Sequence, residues 1–326
     1  AGIKLKKIQL LSIHFGILFI ILSSCSTNPY KNELAEAYYN LGNAYSDLGK
    51  LDEASLVFIK ALKIDPDFSS AAYNLGIVQI QSEKYKEGIL SLQELLKKQP
   101  DNTLVMKVLA WGYYKSGDSD GAVEVYKLIL DIDIQNYDAL NNITVLLMND
   151  SEYTEAYKYL VQLEALETED SNIYYNLGVS ERELGISTGS VWFESAFDLD
   201  NNSEKFIIAL LEALKIEGNY SKVIELYNIL LDLNPDPSFL YDKAFILLTS
   251  IEDYSLGIPA LELALQKEFS NEERIEELKS FPDLLDRDRI LSVFIDNPIK
   301  KSDEEPVAES ELLQGIDPPE ESVLQE

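Results

Sequence analysis

From residue 35 onward, apolar positions fall at helical spacing, and the whole pattern then returns at a fixed distance. Tyr38, Leu41, Gly42 and Tyr45 stand at i, i+3, i+4 and i+7, which places them on one stripe of a helix. Ala54, Phe58 and Ala61 make a second stripe, which Pro66 ends because proline cannot continue a helix. Gly49 lies between the two stripes, where the first helix has to stop and the chain turn back. Tyr39-Asn40-Leu41-Gly42 recurs as Tyr73-Asn74-Leu75-Gly76, thirty-four residues later, and again as Tyr175-Asn176-Leu177-Gly178. The pattern predicts a series of antiparallel helix pairs, with small residues such as Gly42 and Ala54 where two helices approach closely.

Seven windows carry the period: 35–68, 69–102, 103–136, 137–170, 171–203, 204–237 and 238–271. The fifth is one residue short in its inter-helix turn, and fidelity declines toward the last. Gly49, Gly117, Gly185 and Gly218 all occupy position 15 of their windows. A single pair leaves an apolar face open, so each pair must stack on the next. These windows resemble the tetratricopeptide repeat (TPR) family, which places a large residue at position 4, Leu at 7, a small residue at 8 and an aromatic at 11. Small residues at 20 and 27, an aromatic at 24 and Pro at 32 complete its pattern. The resemblance implies an all-α fold, a right-handed TPR α-solenoid of about seven helix pairs. Ile275, Leu278, Phe281, Leu284, Leu285, Ile290, Leu291 and Phe294 predict capping helices over 272–296. Residues 297–326 hold nine acids against two lysines and four prolines, a composition that predicts a disordered tail.

Charge and residue counts narrow the function. Twenty-seven basic residues against fifty-seven acidic ones leave a net charge of −30, a field that repels phosphate backbones and argues against nucleic-acid binding. One cysteine, Cys25, and one histidine, His14, both lie in the first twenty-five residues. The rest of the chain therefore has no means of building a Cys–His or Ser–His–Asp nucleophile or a His/Cys zinc site. Lys4, Lys6 and Lys7 precede an apolar run from Ile8 to Leu22, too short for a membrane span and suited to a signal peptide. Leu22-Ser23-Ser24-Cys25 resembles the lipobox of bacterial lipoprotein precursors. That resemblance implies a signal peptide over 1–24, lipidation of Cys25 and a linker over 25–34. It also implies an array held at a membrane of the bacterial envelope, outside the cytoplasm. Ser26, in place of the Asp that retains some lipoproteins in the inner membrane, favours the outer one. The alternative is an uncleaved anchor helix ending in an incidental cysteine.

In the TPR family, partners usually bind first-helix positions. Here the candidates are Tyr39, Asn43, Tyr73, Asn74, Ile77, Lys107, Trp111, Tyr114, Asn141, Asn142, Tyr175, Asn176 and Arg182. Asn amides match the donor and acceptor of a peptide backbone, and Tyr and Trp supply broad contact area. The structural alternative is that each Asn bonds within its repeat and that Trp111 packs between helices. The resemblance implies a scaffold or adaptor that holds a protein partner's extended peptide or helix in a concave groove over the first five windows. Bacterial TPR lipoproteins include adaptors for cell-wall or outer-membrane machinery and accessory proteins of solute transporters, and the sequence does not choose between them. A different reading is an accessory protein of a solute transporter, holding a small apolar ligand beside Trp111, Tyr113 and Tyr114. The TPR clamp for acidic C-termini needs cations where this chain has Tyr39, Leu104 and Val108, so it is not supported. The runs Asp118/Asp120 and Asp131/Asp133/Asp138 lack the glycine and distal glutamate of a calcium loop. No glycine-rich phosphate loop or catalytic constellation stands out, so neither an enzyme nor a cofactor or metal is expected.

Overall fold

The computed structural model describes residues 29–166, 169–282 and 284–298. The predicted signal peptide, Cys25 and the body of the acidic tail lie outside the described residues. Among the described residues the secondary structure is helical throughout, with no strand. Two compact units divide at residues 132 and 133. The fold is that of a TPR α-solenoid.

The first unit holds three helix pairs: α1 (Pro29–Asp47) with α2 (Leu51–Ile64), α3 (Ser69–Gln81) with α4 (Tyr85–Lys98), and α5 (Thr103–Lys115) with α6 (Ser119–Ile132). The second unit holds α7 (Tyr137–Asn149), α8 (Tyr153–Glu164), α9 (Ser171–Glu183), α10 (Ser190–Leu199), α11 (Glu204–Ile216) and α12 (Tyr220–Leu233). It continues with α13 (Pro237–Ile246), a π-helical turn (Leu247–Ile251), α14 (Tyr254–Gln266), α15 (Glu272–Ser280) and α16 (Arg287–Asp296). One boundary differs from the sequence reading. Residues 29–34, taken there as linker, are helical and extend α1 backwards. Pro29 suits that start, because its missing N–H would have no intrahelical partner in the first turn anyway.

Close helix pairing follows from the small residues at position 8. A Cβ on Gly42 would come within 2.4–2.8 Å of the Phe58 ring, and one on Gly178 within 2.6–3.0 Å of the Phe193 ring. The two units thus use the same glycine–phenylalanine contact. Consecutive pairs stack through the other face of the first helix. Ala71, Leu75 and Val78 of α3 share one buried cluster with Ala54, Phe58 and Ala61 of α2.

The turn inside each pair is more demanding than its glycines suggest. Position 15 is left-handed in all seven windows: Gly49 (φ 68°), Glu83 (62°), Gly117 (84°), Ser151 (59°), Gly185 (66°), Gly218 (74°) and Glu252 (61°). At three of them a side chain with a Cβ accepts that conformation, at a cost of about 1 kcal/mol each. The repeat imposes the turn whichever residue is present. Helix starts are fixed by side chains in several pairs: Asn102 accepts from Val105 N, Asn136 from Ala139 N, and Asp236 from Ser238 N just before α13 opens on Pro237.

The C-terminal end is closed. Ile275 and Leu278 of α15, with Ile290, Val293 and Phe294 of α16, are buried in one cluster with Ile258, Leu261 and Leu265 of α14. A polar lock reinforces it. Arg274 pairs with Asp242, Tyr227 Oη donates to Asp242 Oδ2 at 3.3 Å, and Tyr241 Oη donates to the Arg274 carbonyl at 2.6 Å.

Candidate functional site

The thirteen candidate residues divide between the units. Tyr39, Asn43, Tyr73, Asn74, Ile77, Lys107, Trp111 and Tyr114 lie on α1, α3 and α5. Asn141, Asn142, Tyr175, Asn176 and Arg182 lie on α7 and α9.

In the first unit, the structure draws three of them into one polar ladder. Asn74 Nδ2 donates to Asn43 Oδ1 at 2.8 Å and reaches Tyr39 Oη at 3.5 Å. The bonds run from α3 to α1, so the position-6 asparagine links neighbouring repeats and does not bond within its own. The Tyr39 ring is fixed by tilted contacts with Phe58 (5.9 Å) and Phe68 (5.0 Å). All three ladder residues are half-buried. The Asn43 amide N–H₂ and the Asn74 amide oxygen take no hydrogen bond within the described residues, so a donor and an acceptor remain available on the two bonded amides.

Two candidates are buried. Tyr73 is 8% exposed and Trp111 6% exposed. Burial pushes the Tyr73 hydroxyl up to about 12. The Trp111 indole N–H is buried without a hydrogen-bond partner in the described residues. Periodicity alone does not distinguish these buried aromatics from exposed ones. Ile77 is half-buried, and Tyr114 carries the Lys115 ammonium 5.8 Å from its ring centre. A shallow apolar depression of about 510 Å³ lies beside Glu83, Tyr85, Lys86, Ile89, Leu90 and Ser116. Trp111, Tyr113 and Tyr114 do not line it.

In the second unit the same helix positions carry charge on aromatic faces. The Tyr175 ring meets Phe193 (5.8 Å) and Phe206 (5.6 Å), with the Lys205 ammonium 4.1 Å from its centre. Arg182 lies 5.6 Å from the Phe193 ring and pairs with Glu183 (3.6 Å) and Glu212 (3.7 Å). Burial lowers the Lys205 ammonium and raises the Tyr175 hydroxyl. Asn141, Asn142 and Asn176 are half-buried.

One polar centre escaped the sequence reading. The Glu181 carboxylate accepts from Ser187 Oγ (2.7 Å), Trp192 Nε1 (2.8 Å) and Tyr157 Oη (3.0 Å). Burial raises its pKa, but the bonds from Ser187, Trp192 and Tyr157 outweigh that and hold the carboxyl below the ordinary glutamate range. Glu181 occupies position 11, where the repeat pattern places an aromatic; that mismatch was the available signal. It ties α8 and α10 to the shortened turn that follows α9. Among the described residues no group of three or more His, Cys, Asp or Glu is placed to hold a metal ion, and no helix is long and apolar enough to cross a membrane.

Known proteins fit this architecture. Two family models described as tetratricopeptide repeat match residues 35–68 and 73–137. The chain is 25% identical over 236 residues to the peroxisomal targeting signal receptor of Saccharomyces cerevisiae, covering 70% of this chain and 34% of that protein. It is 29% identical over 156 residues to human protein O-mannosyl-transferase TMTC3, covering 47% of this chain and 17% of that protein. The chain thus spans about a third of the length of the first of these relatives and about a sixth of the second. A protein of Treponema pallidum named only as an uncharacterized lipoprotein is 23% identical over 156 residues, 49% of this chain and 80% of that one. Among solved structures, a tetratricopeptide repeat protein from Parabacteroides merdae superposes with a TM-score of 0.50 at 15% identity, over 79% of this chain and 99% of that one.

Proposed function

We propose that this TPR protein is a scaffold that holds an extended segment of a protein partner on the first-helix face of its first unit, and that it does no catalysis. The observation that carries the reading is the Asn43–Asn74–Tyr39 ladder. Its free amide donor and acceptor match the C=O and N–H of a bound backbone, and Ile77 offers an apolar neighbour on the same helix. A fixed donor–acceptor pair loses little entropy on binding, which favours recognition over adaptation. The yeast receptor relative supports a role in recognising other proteins. The apolar depression is lined by Tyr85, Ile89 and Leu90 and not by Trp111, Tyr113 or Tyr114, so it lends the small-ligand alternative no support.

The proposal extends to tethering. Residues 22–25 and the Treponema lipoprotein relative support acylation of Cys25 and residence in a bacterial cell envelope with the array outside the cytoplasm, and Ser26 favours the outer membrane.

Co-purification of the full chain from membranes, compared with Asn43→Ala/Asn74→Ala, tests the binding face. A stoichiometric protein partner is expected with the parent. Loss of two direct hydrogen bonds should weaken its binding about tenfold or more. Equal recovery of the partner by both proteins would remove the ladder from the binding site. Cys25→Ala is expected to abolish incorporation of labelled palmitate while leaving the array folded.

A further inference from the structure

The repeat frame exposes a surface that every internal repeat buries. Positions 3, 7 and 10 of α3 are Ala71, Leu75 and Val78, packed on the second helix of the preceding pair, and Leu75 is 6% exposed. The same positions of α1 are Ala37, Leu41 and Ala44. All three are exposed, Leu41 at 41%. Leu34 and Leu48, also exposed, extend the row in both directions. The series 34, 37, 41, 44, 48 advances by three and four residues in turn, the 3.5-residue mean of a helix–helix seam.

Three features point to what covers it. First, large and small residues alternate, and the row is complementary to its own reverse. In an antiparallel pair of α1 helices, Leu34 faces Ala44 of the second copy, Ala37 faces Leu41, and Leu48 meets the exposed Tyr30 ring. Every central layer sets a leucine knob over an alanine hole. Second, α1 carries Lys31 against Glu33, Glu36 and Asp47, the wrong charge balance for a helix lying on anionic lipid, and its alanines offer little to insert. Third, α15 and α16 close the C-terminal end of the array, so a head-to-tail stack would meet a finished surface, whereas a self-complementary pair closes at two.

We propose that the exposed face of α1 is an interface with a second copy of this chain, formed by antiparallel pairing of the two α1 helices about a two-fold axis near residues 39 and 40. The seam runs about 20 Å from Leu34 to Leu48. Burying its side chains from both copies removes on the order of 1,000 Å² from water, the lower end of a specific interface. This surface is separate from the Asn43–Asn74 ladder and stands without the partner-binding reading.

The test is sedimentation of the full chain carrying Cys25→Ser, in non-ionic detergent, over a wide concentration range up to about 100 µM. A concentration-dependent dimer is expected. Leu41→Glu and Ala44→Glu should each weaken it about a hundredfold or more by placing a charge in the apolar seam, with helicity and Trp111 fluorescence unchanged. Oxidation of the Asn40→Cys variant in the same background should link two chains, because that position flanks the two-fold axis. Ala44→Cys should not link to itself. A chain that stays monomeric, whether because another protein or the residues before Pro29 take this face, overturns the proposal. So does a dimer indifferent to both glutamates, or self-linking at position 44.

Discussion

The two units share one repeat and differ in almost everything laid over it. Residues 29–132 carry eleven basic and fifteen acidic residues, whereas residues 133–298 carry eleven basic and thirty-three acidic. Both use a position-8 glycine against a position-24 phenylalanine, Gly42 on Phe58 and Gly178 on Phe193. Both turn through a left-handed residue at position 15. Their first-helix faces diverge. In the first unit an uncharged asparagine ladder leaves hydrogen-bonding capacity unspent. In the second, Arg182 and Lys205 rest on aromatic rings and are held by Glu212, Glu183 and Asn172. A repeat specifies packing at a few positions and leaves the others free. In the first unit those free positions leave hydrogen-bonding groups unspent, whereas in the second they carry ion pairs and ring contacts within a strongly acidic unit.

Trp111 and Trp192 give one fluorescent reporter per unit. With the other tryptophan replaced by phenylalanine, Phe58→Ala and Phe193→Ala should each cost about 3–5 kcal/mol of stability in denaturant unfolding, since each removes a fully buried ring. Each loss should register in its own unit's reporter. Equal shifts in both reporters from either variant would show the units unfolding as one body and break the comparison.

Acid should separate the units next. The Glu181 carboxyl has a folded pKa below its unfolded one, so its stabilising contribution is complete above the ordinary glutamate value of 4.5 and is lost as pH falls from there through the lowered value. Trp192 donates directly to this carboxylate, so its emission should change over that window. Glu181→Gln should remove the transition while leaving Trp111 emission unaltered. An unchanged profile in the variant would assign the acid response to other carboxylates.

The smallest effect tests the shared turn. Glu83→Gly, Ser151→Gly and Glu252→Gly should each stabilise by about 0.5 kcal/mol, the relief of left-handed strain reduced by the greater unfolded-state freedom of glycine. Thermal midpoints of the three variants would show it, with Glu83→Gly read through Trp111 and the other two through Trp192. Destabilisation at all three positions would mean that these side chains make contacts worth more than the strain.

Much of the fold was legible from particular residues. Tyr38, Leu41, Gly42 and Tyr45 announced one helix stripe, Pro66 its partner's end, and Gly49, Gly117, Gly185 and Gly218 the turns. The site was legible only in part. Asn43, Asn74 and Tyr39 were identifiable as first-helix residues, but their bonding across two repeats depends on a distance between helices that no local pattern reports. Tyr73 and Trp111 were indistinguishable from surface aromatics by spacing. Glu181 gave a signal only as an acid where an aromatic belonged.

The sequence by itself determined that this chain forms helix pairs, where each pair turns and that the pairs stack. Those outcomes depend on spacing, small residues and helix breakers that act over one or two turns of chain. Only the tertiary structure decided which first-helix side chains are buried or hydrogen-bonded, where the chain divides into units and which repeat face is left uncovered. These depend on what a neighbouring helix places within a few ångströms. Leu41 and Leu75 occupy the same position of the same motif, and only the helix packed in front of Leu75 makes one of them core and the other surface.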